Sequence, residues 1–212
     1  MPVAVGAPGA TASVPPPFGQ DLSRMTISRL LIANRGEIAI RIARTAADLG
    51  IATVAVHSAD DAQSLHVRAA DTARALEGSG PAAYLDAAQI VAVARAEGCD
   101  AIHPGYGFIS ENAAFARLCG EAGIAFVGPT PEVLDLFGDK AQARRFAARH
   151  AVDIVAGTDG PTTLEQAQVF LADLGPGGAI MVKALAGGGG RGMRPVTDAA
   201  QLPAAFERCR AE

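Results

Sequence analysis

LLIANRGEIAIRIARTAADLGIATVAV, residues 30–56, decides the fold. Leu30, Leu31, Ile32 and Ala33 form a fully apolar run, the pattern of a strand buried on both faces. Asn34, Arg35 and Gly36 turn the chain into a predicted helix from about Glu37 to Leu49, with Ile38, Ile42, Ala46 and Leu49 along one face. Gly50 ends that helix, and Ala52 to Val56 is the next strand. Strand, short turn, helix and strand make a βαβ unit, so the sheet is parallel and its crossover right-handed. Ligands of such sheets bind at the carboxyl ends of the strands, which makes Asn34 to Glu37 a candidate edge. For Arg35 and Glu37 a purely local role, turn capping and a first-turn acid on the helix dipole, is equally open.

Working outward, the same alternation continues. Asp60 to Asp71 reads as a loop with a short helix, Thr72 to Leu76 as a weak strand and Gly78 to Pro81 as a loop. Asp86 caps a helix that runs through Glu97. Ala101, Ile102 and His103 form a strand that enters the stiff loop Pro104, Gly105, Tyr106, Gly107, Phe108. His103 is either a proton carrier or a hydrogen-bonder that pins this loop. Ser110 to Asn112 opens another helix, Ile124 to Val127 is the next strand, and Thr130 with Pro131 caps the helix after it. Lys140 then stands in the first turn of a helix reaching about His150, where a cation opposes the dipole unless an anion is near.

After His150 the pattern changes. Ile154 and Val155 are predicted as a short strand and Thr163 to Leu174 as a helix. Asp198 caps a last helix that runs through Arg210. The expected organisation is a disordered tail over residues 1–27, an α/β domain with a doubly wound parallel sheet over 28–138, and a second, incomplete α+β subdomain over 139–212.

The chemistry concentrates in that second part, in AIMVKALAGGGGRGMRPV, residues 179–196. Ala179 to Val182 form an apolar strand, Lys183 follows, and Gly187, Gly188, Gly189 and Gly190 come in a row. Four glycines make sense where backbone must move or approach a ligand closely, and their N–H groups can curl around phosphate between Lys183 and Arg191. A Walker A loop is excluded because its lysine follows the glycines. Gly187, Gly189 and Gly192 match G-x-G-x-x-G, but Met193 to Val196 reads as a strand where a dinucleotide fold needs a helix. The preferred reading is two antiparallel strands joined by a glycine-rich flap that closes over a triphosphate, and a surface hairpin that holds no ligand is the alternative.

Composition narrows the classes. A formal net charge of -4 without any basic run argues against nucleic acid as a partner. Cys99, Cys119 and Cys209 show no metal or disulfide spacing and fit free thiols in a reducing compartment. Residues 1–25 are interrupted by Pro2, Gly6, Pro8, Gly9, Pro15, Pro16 and Pro17, so neither a signal peptide nor a membrane span is expected and a cytoplasmic location follows. A nicotinamide dehydrogenase is disfavoured because the first turn has only Gly36.

IANRGEIAIRIARTAADLGI, AIHPGYGFISEN, FVGPTPEV, GDK and VKALAGGGGRGMR, in this order, resemble the biotin carboxylase family. That family is the ATP-grasp component of acetyl-CoA, propionyl-CoA, pyruvate and urea carboxylases. The resemblance runs from about Arg29 to Glu212. It implies an ATP-dependent carbon–nitrogen ligase: bicarbonate is phosphorylated to carboxyphosphate, and the carbon dioxide released is captured by biotin on a carrier. It also implies ATP, Mg²⁺ and carrier-bound biotin as cofactors and substrate. The implied partners are a biotin carboxyl carrier domain or protein, a carboxyltransferase component and a second copy in a homodimer, without nucleic acid or membrane.

By the same resemblance Lys140 and Lys183 match the phosphate lysines, and Gly187, Gly188, Gly189, Gly190, Arg191 and Gly192 the mobile loop. The HPGYGF loop borders the site, and the first helix, with Arg41 and Arg44 outward, faces the dimer partner. Leu185 and Ala186 depart mildly from the family pattern, and Ala156 stands where it usually has proline. The family's magnesium ligands, general base and catalytic arginine would lie downstream of Glu212, so no catalytic residue and no metal ligand is assigned, and ATP binding without turnover is expected. The alternative is a stand-alone nucleotide-binding or assembly module.

Overall fold

The computed structural model describes residues 26–158, 160–184 and 192–211. Its contacts divide the chain into two units, which meet in sequence between Leu134 and Asp135. The first unit is a five-stranded sheet, built from β1 (Arg29–Ile32), β2 (Ala52–His57), β3 (Thr72–Ala75), β4 (Ala101–His103) and β5 (Ala125–Phe126). The order is β3-β2-β1-β4-β5 and every pairing is parallel. Helices α1 (Gly36–Asp48), α2 (Leu65–Ala69), α3 (Gly80–Ala83), α4 (Ala87–Ala96) and α5 (Ala113–Glu121) make the crossovers. The doubly wound α/β sheet expected from residues 30–56 is the fold observed.

Alternation along each strand sends residues to two cores. On one face Leu31, Val54, Val56 and Ile102 pack with Ile90 and Ala94 of α4 and Phe115 and Cys119 of α5. On the other, Leu30, Ile32 and Ala101 meet Ala39, Ala43 and Ala46 of α1. The apolar spacing had assigned Ile38, Ile42, Ala46 and Leu49 to the buried side of α1. Ala46 is buried as expected, but its companions in the buried line are Ala39 and Ala43, one residue on from Ile38 and Ile42, and Leu49 is 69% exposed. Methyl-sized side chains let the helix lie closer to the sheet, and Ile42 flanks that seam half-buried.

Helix α6 (Pro131–Gly138) leads out of the first unit, and α7 (Lys140–Arg149) follows after one residue. The rest of the second unit is α8 (Leu164–Asp173), β6 (Ile180–Lys183), β7 (Met193–Val196) and α9 (Leu202–Ala211), with β6 and β7 antiparallel. Its core is small: Ala167 and Leu171 of α8, Val196 of β7 and Leu202 of α9, with Ile180, Val182, Ala205 and Phe206 against them. Thr163 heads α8 with a capping box, its hydroxyl accepting from the Gln166 N–H while the Gln166 side chain accepts from the Thr163 N–H.

Two local expectations change. Residues 152–156 contain no strand. The carbonyls of Val155 and Gly157 are taken by the Arg144 guanidinium, where a strand would have offered them to a neighbour. Gly80 to Ala83 is a helical turn where a loop was expected, with Pro81 in its first turn as proline tolerates.

Candidate functional site

Residues that could handle a ligand occur in both units. In the first unit, β1 and β4 are adjacent, and the chain leaves them toward opposite edges of the sheet. This is the topological switch point of an open α/β sheet. Asn34 is fully buried there and uses its whole amide. Its Nδ2 donates to the carbonyls of Pro104 at 2.7 Å and Tyr106 at 3.0 Å, and its Oδ1 accepts from the Arg35 N–H at 2.9 Å. Gly105 is left-handed (φ +67°), and a Cβ there would come within 2.6 Å of Asn34 Nδ2. The Pro104–Phe108 loop is thus tied to the end of β1.

His103 is part of the same fastening, because its Nδ1 accepts from the Gly105 N–H at 3.0 Å. That contact matches the loop-pinning reading of His103, and burial lowers its pKa. Next to it, Asp61 accepts from Tyr84 Oη at 2.9 Å, Arg35 Nη1 at 3.3 Å and Ser64 Oγ at 3.1 Å. Burial pushes the Asp61 carboxyl up, but the Tyr84 and Ser64 hydrogen bonds and the Arg35 charge together hold it below its usual value. Arg35 also lies over the rings of Tyr84 and Phe108, 5.9 Å from each centroid. Asn34, Arg35, Glu37, Asp61 and Phe108 line a cavity of about 290 Å³. Both Arg35 and Glu37 have structural partners, the second accepting from Tyr106 Oη at 2.6 Å.

In the second unit, the β6–β7 register pairs Met181 with Pro195 and Lys183 with Met193. These four residues share the outer face of the hairpin, since Ile180, Val182 and Val196 of the other face belong to the core. Met181 and Met193 are 48% and 38% exposed, and Lys183 is exposed between them. An apolar, polarizable platform thus ends in an ammonium group. The ladder extends one step past Lys183, where the Ala184 N–H donates to the carbonyl of buried Gly192 at 2.8 Å, and Gly192 is left-handed (φ +67°). Gly187, Gly188, Gly189, Gly190 and Arg191 lie outside the described residues.

Lys140 is the first residue of α7 and is exposed. Its helix is capped by Asp139, whose Oδ1 accepts from the Ala141 and Gln142 N–H groups at 2.8 and 3.0 Å. The nearby anion that a cation in a first turn calls for is therefore present in the chain itself, and the dipole argument does not require a ligand. A different signal singles out both lysines. The chain contains 18 lysines and arginines. Only Lys140 and Lys183 are lysine. Where positive charge alone suffices this sequence uses arginine, so these two positions stand apart as places for a compact ammonium. Among the described residues no group of three or more His, Cys, Asp or Glu is arranged to hold a metal ion.

Residues 26–134 match the family model for the biotin carboxylase N-terminal domain. The chain belongs to the biotin carboxylase family. Residues 139–212 match the ATP-binding domain of the carbamoyl-phosphate synthase L chain. Pyruvate carboxylase of Staphylococcus aureus is 50% identical over 190 residues, covering 88% of this chain and 16% of that protein. Biotin carboxylase of a Nostoc species is 49% identical over 174 residues, covering 81% of this chain and 38% of that one. The biotin carboxylase domain of Hydrogenobacter thermophilus 2-oxoglutarate carboxylase has been solved as a dimer with MgADP, ADP and bicarbonate. It superposes with a TM-score of 0.83 at 40% identity, covering 89% of this chain and 41% of that one. The chain therefore spans well under half the length of these relatives. Among its described residues no helix is long and apolar enough to cross a membrane.

Proposed function

We propose that this chain is the nucleotide-gripping portion of a biotin carboxylase, a ligase that uses ATP and bicarbonate to carboxylate biotin on a carrier. The observation that carries the reading is the outer face of the β6–β7 hairpin, where Met181 and Met193 flank Lys183. A purine ring stacks on thioether and methylene surface, while an ammonium at the strand end neutralises phosphate oxygens. The residues fit ATP in that sense. Lys183 and Lys140 would hold its phosphates, and Gly187 to Gly190 with Arg191 and Gly192 would supply a backbone cover that keeps water out. Bound ATP would supply the activated phosphoryl group, and these residues would orient it and screen its charge.

The carrier of biotin, a carboxyltransferase component, a homodimer partner across α1 and a cytoplasmic setting belong to the same proposal. So does ATP binding without turnover by these 212 residues. Titration calorimetry tests the first half. MgATP or MgADP should evolve heat with the chain, and Lys183→Met and Lys140→Met should each weaken binding by about tenfold or more. Absence of nucleotide heat from the folded chain would refute the reading. A phosphate-release assay with MgATP, bicarbonate and free biotin tests the second half, and steady turnover would refute it.

A further inference from the structure

No residue of α7 is buried as a whole, so contacts of individual side chains weigh more in holding the helix in place. Three contacts tie it to the segments on either side. Phe146 meets Phe137 edge-on at 5.9 Å between ring centroids, and the Val152 N–H closes the end of the helix on the Ala147 carbonyl at 3.0 Å. The third is Arg144. Its Nη1 donates to the Val155 carbonyl at 2.9 Å and its Nη2 to the Gly157 carbonyl at 3.5 Å, while its Nε is shielded from solvent without a partner. A planar fork is suited to two carbonyls on one short segment in a way that a lysine is not. Gly157 is bare where the fork arrives, and a Cβ there would stand 3.1 Å from Arg144 Cζ. Arg144 also lies four residues after Lys140, on the same face of the helix.

We propose that Arg144 is a positioning residue for Lys140. By stapling α7 to the backbone of residues 155–157, it sets the direction in which the first turn of the helix carries the Lys140 ammonium. The consequence for affinity rests on the nucleotide-binding reading above, whereas the staple can be read without nucleotide.

The two-lysine composition makes the test site-resolved. Reductive methylation with carbon-13 formaldehyde places NMR labels on Lys140, Lys183 and the terminal amine of the full chain. In Arg144→Met the Lys140 signal should move while the Lys183 signal stays. The dissociation constant for MgADP should rise about tenfold, since a group displaced by even 1 Å loses much of its effect. Arg144→Met added to Lys140→Met should cost nothing further, and Arg144→Lys should restore part of the loss. Gly157→Ala, which crowds the fork without removing charge, should act in the same direction more weakly and serves if Arg144→Met does not fold. An unmoved Lys140 signal, lysine signals that move together, or an equal loss of affinity in the Lys140→Met background would overturn the proposal. If the unmodified chain gives no MgADP heat, the nucleotide reading fails, and the Lys140 signal still decides whether the staple exists.

Discussion

Asn34 is one side chain with three hydrogen bonds, all to backbone and all at the end of β1. Asn34→Ala would leave the Pro104 and Tyr106 carbonyls without their amide donor, so a loss of about 2–4 kcal/mol is expected in urea unfolding of the first unit. Gly105→Ala should be comparably severe, because the new methyl would overlap Asn34 and Ile38 in a left-handed conformation. The opposite sign is expected at the end of α7. Ala151 occupies the left-handed region (φ +55°). Glycine is favoured there, so Ala151→Gly should stabilise the second unit by about 1 kcal/mol in the same assay.

Titration also acts at the level of single residues. His66 is 1% exposed, with Nε2 donating to the Val56 carbonyl at 3.3 Å and Nδ1 without a partner. Burial lowers the pKa of His66, as it does that of His103. A depressed folded-state pKa means that the fold favours the neutral ring. Its contribution is complete above the unfolded value of about 6.5 and is lost as pH falls below that toward the folded value. Thermal stability should therefore decline on acidification from pH 7 to 5, and His66→Gln should flatten that decline. A slope unchanged by the substitution would show that other groups set it.

Among the elements, the strands and helices of the first unit were legible because each carries its own periodicity. Leu30 to Ala33 can only be a strand buried on both sides, and Gly50, Gly98 and Gly123 mark helix ends where a left-handed residue is needed. The antiparallel pairing of β6 with β7 was legible for the same reason. What failed depended on distant groups. Ile154 and Val155 have strand-like side chains, yet a guanidinium from α7 takes the carbonyl of Val155, and no local pattern announces that. On α1 the sequence reading held for Ala46 but chose Ile38 and Ile42 over Ala39 and Ala43, because isoleucine outweighs alanine on any hydrophobicity scale, whereas close packing on a sheet rewards the smaller side chain. Lys140 and Lys183 drew notice in the sequence through a helix first turn and a glycine-rich neighbourhood. At this scale the α8 capping box offers a direct check. Thr163→Ala should cost about 1 kcal/mol, measured as reduced amide protection in Leu164 to Ala167.

For the molecule as a whole, the two units have unequal foundations. The first packs both faces of its sheet, while the buried cluster of the second comprises Ala167, Leu171, Val196 and Leu202. Buried apolar area sets stability, so hydrogen exchange should show the second unit opening at lower free energy, and thermal unfolding should deviate from a single two-state transition. One cooperative transition with uniform protection would contradict this. MgADP should raise the first transition selectively if the hairpin binds it.

Only methyl groups separate α1 from the sheet along Ala39, Ala43 and Ala46. A helix seated on so thin a gasket has no slack in which to roll or slide. Anything that leans on its outer side, where Arg41 and Arg44 project, therefore bears directly on β1 and on the loop lashed to its tip.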